Sequence, residues 1–205
     1  MLYSEFDHLL PKERREETKG KAGLFPDHLR PQIEEMNEWV YNTVNNGVYK
    51  TGFAKSQEAY DANVYPLFKS LDRLEKHLED PKHQPYLFGE NITEADIRLY
   101  TTMARFDVAY FTIFKCNLKM IRYDYPNLHK WLRTLYWDES EKTNGGAFKK
   151  TTMFTEVSRS FAPCIRISAD ALREQYKKGY ASALSSVTRA TKVVPAGPVP
   201  DILPL

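Results

Sequence analysis

Cysteine is nearly absent: Cys116 and Cys164 are the only two in 205 residues, far apart and outside any CxxC pattern. That argues against a disulfide framework and favours a reducing compartment. Glycine is scarce, at nine residues, and neither GxGxxG nor a P-loop occurs, so the chain encodes no phosphate cradle. GxSxG is missing as well. His8, His28, His77, His83 and His129 show no HxxxH, HExxH or cysteine-paired spacing, so no metal site is expected. No apolar run approaches the roughly 20 residues that span a bilayer. Charge of one sign is lacking too. The net charge of +2 points to neither nucleic acid nor a membrane surface, and acids interleave with bases, as in Lys12-Glu13-Arg14-Arg15-Glu16-Glu17. The first residues are acidic and apolar where a secretory signal would be basic, so the expected location is the cytoplasm.

What the sequence does hold is a core and aromatic residues. Hydrophobic residues make up 42% of it, with 13 Tyr and 11 Phe, enough to exclude a disordered polypeptide. Residues 1–10 read as a short helical piece stopped by Pro11, followed by a charged linker to about Gly23. From Pro26 the spacing of Ile33, Met36, Val40 and Val44 predicts a helix that stops at Asn45-Asn46-Gly47. A second helix is expected from Ser56 to Leu78. Its apolar stripe is Val64, Leu67, Phe68, Leu71, Leu74 and Leu78, with Asp72, Arg73, Glu75 and Lys76 facing water; Pro66 implies a bend near Ala62.

The strongest local signal is Asn91-Ile92-Thr93-Glu94-Ala95-Asp96-Ile97. Thr93 suits the N-cap and Asp96 the N3 position of a capping box, and Ile92 and Ile97 occupy the two positions of a hydrophobic staple. Ile97, Thr101, Ala104, Val108 and Phe111 follow, and the helix reads as central to the fold. Leu128, Trp131, Leu132 and Leu135 mark a further helix after Tyr125-Pro126. Gly145-Gly146 breaks the chain before helical pieces around 147–159 and 169–183. No strand–helix alternation and no repeat occur, so the fold class is all-α.

Few residues offer chemistry. Cys116 follows Lys115, weak support for a lowered thiol pKa, and Cys164 follows Pro163 just before Ile165-Arg166; for each the alternative is a plain packing role. Tyr49, in the glycine-flanked stretch Gly47-Val48-Tyr49-Lys50-Thr51-Gly52, either presents its hydroxyl to a substrate oxygen or packs over a turn. Tyr180 offers the same choice near the end of the last helix. Phe106 and Tyr110 are candidate walls of a pocket for an aromatic compound.

Several separated motifs agree in order with one family. Tyr86-Leu87-Phe88-Gly89 before the capped helix resembles the helical second domain of glutathione transferases. Asn45–Ala54, Gln57-Glu58-Ala59-Tyr60, Thr93–Leu99, Arg105-Phe106-Asp107 and Phe114-Lys115-Cys116-Asn117 are similar to the omega-like, Xi-class glutathione transferases, the glutathionyl-hydroquinone reductases. The resemblance covers residues 1–137 closely, and the ending at 194–202 has a fungal, familial look. It implies a glutathione-transferase C-terminal-type helical bundle over residues 26–183. Residues 1–25 would be the end of a thioredoxin-like domain's last helix plus a linker, and 184–205 an extended Pro-rich tail.

The resemblance also implies glutathione as cosubstrate, a hydroquinone-like or glutathionylated aromatic substrate, and a homodimer. In the family, a thiolate attacks the glutathionyl–hydroquinone thioether, leaving a mixed disulfide and a free hydroquinone. The nucleophilic cysteine and the glutathione site lie in a thioredoxin-like domain whose βαβ pattern is absent from this sequence, so no catalytic residue is expected here. Tyr49 matches a substrate-binding tyrosine through its whole motif. Tyr180 matches a second without the family's flanking histidines, and residues 138–180 fit the pattern poorly. The expected function is that of the substrate-binding helical domain of such an enzyme, inactive alone. Two alternatives stand beside it: a non-catalytic helical dimerisation or docking module, and a plain binding domain for aromatic compounds.

Overall fold

The computed structural model describes residues 5–153, so Tyr180, Cys164 and the tail at 184–205 lie outside the described residues. Among the described residues the chain is all-helical. The one β feature among the described residues is an isolated antiparallel bridge between Tyr86 and Gly89. None of the described helices is long and apolar enough to cross a membrane.

Helix α1, Arg30–Val40, buries Ile33, Met36 and Val40 at the predicted spacing. The expected stop after it does not occur. The chain widens into a π-turn, Tyr41–Asn45, and re-enters a helix, α2, at Gly47–Gly52. Asn46 keeps right-handed helical angles, and the Asn45 side chain is used elsewhere: its amide donates to the Arg98 carbonyl at 3.2 Å and to the Thr102 hydroxyl at 2.5 Å. Turn-forming residue types are here satisfied by a neighbouring helix, so the propensity for a stop is overridden.

Helix α3, Gln57–His77, starts at Ser56, whose hydroxyl accepts from the Ala59 amide at 3.2 Å, and runs unbroken through Pro66. Its apolar stripe is buried as read from the sequence. Two of its acids do not simply face water. The Glu75 carboxylate accepts from the amides of Asn127 and Leu128 at 2.8 and 2.9 Å, capping the helix that begins at Pro126. Asp72 accepts from the Tyr125 hydroxyl at 3.0 Å and pairs with Lys119 at 2.6 Å. The orphan amides at a helix start need an acceptor, and here a neighbouring helix supplies it.

Helix α4, Glu94–Arg105, carries the capping box between Thr93 and Asp96. It continues through a second π-turn, Phe106–Tyr110. Its buried face is Ala95, Asp96, Leu99, Tyr100, Thr102, Met103 and Ala104. The stripe expected from the sequence is therefore rotated, because Thr101 is exposed and Ile97 only partly covered. Those two, with Ala104, border a cavity of about 520 Å³. Helix α5, Pro126–Trp137, buries Leu128, Trp131, Leu132 and Leu135 as expected. After the left-handed Gly145 and Gly146, at φ +67° and +87°, the short helix α6, Ala147–Thr151, closes the described chain.

His129 on α5 gives the fold a pH dependence. Burial, reinforced by Arg133 and Arg122, lowers its pKa from the ordinary 6.5 to about 4. The unfolded chain therefore takes up this proton first as the pH falls. The stability this group contributes is complete above about pH 6.5 and is lost progressively towards pH 4. The melting temperature should fall across that window, and His129→Gln should flatten the fall. An equally steep fall in the variant would assign the effect to other groups.

Candidate functional site

The short helix α2 and the π-turn after α4 bring Tyr49 and Tyr110 together, 61 positions apart in the chain. Their hydroxyl oxygens are 3.0 Å apart, and their rings meet edge-on at 5.6 Å. Two more rings complete the cluster. Phe114 lies 5.4 Å from both Tyr49 and Tyr110, and Phe53 lies 5.2 Å from Phe114. Tyr110 is buried, Tyr49 is 38% exposed and Phe53 is 63% exposed, so the cluster runs from the core to the surface. Such ring pairs hold their geometry through edge-to-face attraction in addition to apolar burial.

A buried phenol resists ionisation. Burial raises the Tyr110 pKa well above the ordinary tyrosine value, the Tyr49 hydroxyl raises it further, and the neighbouring Arg105 guanidinium opposes the rise. Arg105 also borders the 520 Å³ cavity, with Ile92, Ile97, Tyr100, Ala104 and Phe148 among its apolar walls. In the same lining the Tyr100 hydroxyl lies 2.8 Å from the Thr152 hydroxyl.

The structure separates the sequence-derived candidates. It joins Tyr49 to Tyr110. Phe106 is fully buried, with its ring edge-on to Phe68 at 6.0 Å, so it packs in the core and lines no exposed surface. A π-turn changes the angular step between Phe106 and Tyr110, which sequence spacing does not reveal. Ile92, Thr93, Asp96 and Ile97 serve the start of α4, and the two isoleucines also border the cavity. Cys116 is buried, its thiol near the carbonyls of Val48 and Phe114, and burial pushes its pKa up to about 12. A thiol so held is protonated at neutral pH and does not act as a nucleophile. Among the described residues no cluster of three His, Cys, Asp or Glu is placed to hold a metal ion. Sequence reasoning missed Arg105, Phe53 and Phe114 as neighbours of the tyrosines. Their only signal was membership of the motifs around them.

The helical architecture and these motifs place the chain among known proteins. The family described as "Glutathione S-transferase, C-terminal domain" matches residues 57–134. The fold thus defines the class, the helical domain of glutathione transferases. The relatives narrow it. "Glutathione S-transferase omega-like 2" of Schizosaccharomyces pombe is 48% identical over 142 residues, covering 69% of this chain and 43% of the relative. "Glutathionyl-hydroquinone reductase YqjG" of Escherichia coli is 54% identical over 118 residues, covering 57% of this chain and 35% of the relative. Among solved structures, the glutathione-S-transferase Xi from Phanerochaete chrysosporium matches with a TM-score of 0.68 and 46% identity, over 100% of this chain and 57% of that one. The chain belongs to the Xi-class, omega-like glutathione transferases, the family of the glutathionyl-hydroquinone reductases. It spans about half the length of the curated relatives it matches.

Proposed function

We propose that this chain is the hydroquinone-binding helical part of a glutathione transferase of the glutathionyl-hydroquinone reductase type, working in the cytoplasm as a homodimer. The observation that carries the reading is the Tyr49–Tyr110 hydroxyl pair, 3.0 Å apart, on two rings that both pack against Phe114. A flat aromatic diol needs a hydroxyl for its ring oxygen and apolar faces for its ring, and the exposed Tyr49 and Phe53 offer both. The relatives named as glutathionyl-hydroquinone reductases support the substrate class. Cys116 is buried, with its thiol pKa pushed up, so it does not supply the reacting thiolate. What the described residues do is bind and orient the aromatic compound. The resemblance implies that the reacting thiol sits in a thioredoxin-like domain.

Tyr49→Phe should therefore weaken binding of methylhydroquinone to the full chain about tenfold, the worth of roughly 1.4 kcal/mol. Its melting temperature should stay near that of the parent. Equal affinity in titration calorimetry would remove the reading. Given glutathione and a glutathionyl-hydroquinone, the chain by itself should show no turnover that depends on Cys116.

The exposed rings of Tyr41, Phe53 and Tyr65 favour a second reading, a non-catalytic helical dimerisation or docking module. It requires self-association or a protein partner without any affinity for hydroquinones, so a monomeric chain in light scattering that captures no partner would dispose of it.

A further inference from the structure

A strained residue stands at the base of the ring cluster. Lys115 holds a left-handed backbone angle, φ +58°, immediately after Phe114. A lysine resists that angle and a glycine does not. Strained residues persist only where their surroundings over-determine them, and they gather at ligand sites. We propose that Tyr60 is a positioning residue for the aromatic ligand: its hydroxyl holds the Lys115 turn closed, and the turn fixes the Phe114 ring against which Tyr49 packs. The proposal rests on the reading of Tyr49 as a ligand-binding residue and extends the site to a residue that acts through the backbone.

The peptide between Lys115 and Cys116 is gripped at both ends. Its N–H, on Cys116, donates to the Tyr110 carbonyl at 3.1 Å. Its carbonyl, on Lys115, accepts from the Tyr60 hydroxyl at 2.6 Å. The first bond is local, made to the π-turn that precedes it. The second comes from α3, 55 positions away in the chain. With both ends held, the peptide plane does not flip, and Lys115 keeps its left-handed angle although its own side chain is exposed.

On either side of the exposed Lys115, Phe114 and Cys116 are buried. The Phe114 ring is the one the cluster shares, 5.4 Å from both Tyr49 and Tyr110 and 5.2 Å from Phe53. It also lies directly on Gly52, where a Cβ would come within 2.7 Å of the Phe114 Cβ. Packing fills the space around this ring, and the turn that follows it sets the backbone from which it projects. Without the Tyr60 hydroxyl, the carbonyl end of the peptide is released. A lysine then relaxes towards the right-handed region and carries Phe114 with it. A glycine in the same place has no strain to release.

That difference makes epistasis the test, read by titration calorimetry of methylhydroquinone on the full chain. Tyr60→Phe should lower affinity about fivefold, the worth of one hydrogen bond. Lys115→Gly should bind like the parent, because glycine takes the left-handed angle unaided. Combining the two should bring affinity back to within about twofold of the parent, where independent effects would leave the loss in full. Lys115→Val raises the strain with Tyr60 in place and should lose affinity as Tyr60→Phe does; it carries the test should Tyr60→Phe lack the parent's circular dichroism. Parental affinity in Tyr60→Phe overturns the proposal, even if the melting temperature falls, since that is the mark of a structural staple. A loss that Lys115→Gly leaves unrepaired overturns it too. Tyr49→Phe separates the two levels. If it weakens binding while Tyr60→Phe does not, only the positioning role falls. If it too binds like the parent, the reading of the site falls and the positioning role with it.

Discussion

Asp96→Ala is expected to lower the stability of the domain by about 3–5 kcal/mol, enough to unfold much of it at 25 °C. As a helix cap alone, the residue would be worth only about 0.5–2 kcal/mol. The structure assigns it more. One carboxylate oxygen accepts from the Thr93 amide and the Thr93 hydroxyl, both at 2.8 Å. The other accepts from the Leu87 amide and the Trp131 indole, both at 2.9 Å. Asp96 is fully buried, so alanine would leave these donors without a partner and without water. Each unsatisfied buried donor costs about 1–3 kcal/mol, though relaxation keeps the losses from adding in full. The carboxylate ties the segment before α4, the start of α4 and the middle of α5 into one unit. Urea unfolding followed by circular dichroism measures the loss, and Trp131 fluorescence should report it locally. Thr93→Ala, which leaves Asp96 in place, should cost about 1 kcal/mol. A cost for Asp96→Ala no larger than that would refute the role given to the network.

Gly52→Ala is expected to cost about 1–3 kcal/mol by overpacking, and to weaken hydroquinone binding as well. A methyl group at Gly52 would meet Phe114 at the base of its side chain, 2.7 Å from Cβ, where a rotamer change gives little relief. Phe114 is also the ring that touches Tyr49, Phe53 and Tyr110. Displacing it disturbs the hydroxyl pair together with the packing. Gly47, five residues earlier, is the internal control. A Cβ there would lie 3.7 Å from Leu67, an ordinary contact, and in a helix alanine is otherwise favoured over glycine. Gly47→Ala should be neutral or mildly stabilising and should bind as the parent does. Thermal melts and ligand titration of the two variants side by side make the comparison. Equal behaviour at both positions would show that Phe114 can yield without cost.

Much of the fold was legible because it is written in local periodicity. The stripes of α1, α3 and α5 are buried where the spacing of Ile33, Leu67 and Trp131 with their neighbours put them. The cap at Thr93 was legible because its partners lie within one turn. Legibility ended where a group finds its partner across the fold. Asn45 looked like a helix stop and instead bonds α4, and Glu75 looked solvated and instead caps α5. The stripe drawn through Ile97 and Thr101 was rotated, because Leu99, Tyr100 and Met103 pack inward while Thr101 falls on the polar face with Glu94, Arg98 and Arg105.

For the candidate site the division is the same. The sequence by itself determined an all-helical chain, the central capped helix, the family motifs and the interest of Tyr49. Each of these is encoded by residues near one another in the chain, where helical spacing and capping chemistry act. Packing between helices is what set Tyr110 beside Tyr49, placed Phe106 in the core and buried Cys116. Burial and hydrogen-bond partnership are properties of the space between helices. Two π-turns, Tyr41–Asn45 and Phe106–Tyr110, set the angles at which these side chains enter that space. A π-turn shifts every later side chain around the helix axis, so residue spacing alone does not say which tyrosine faces which.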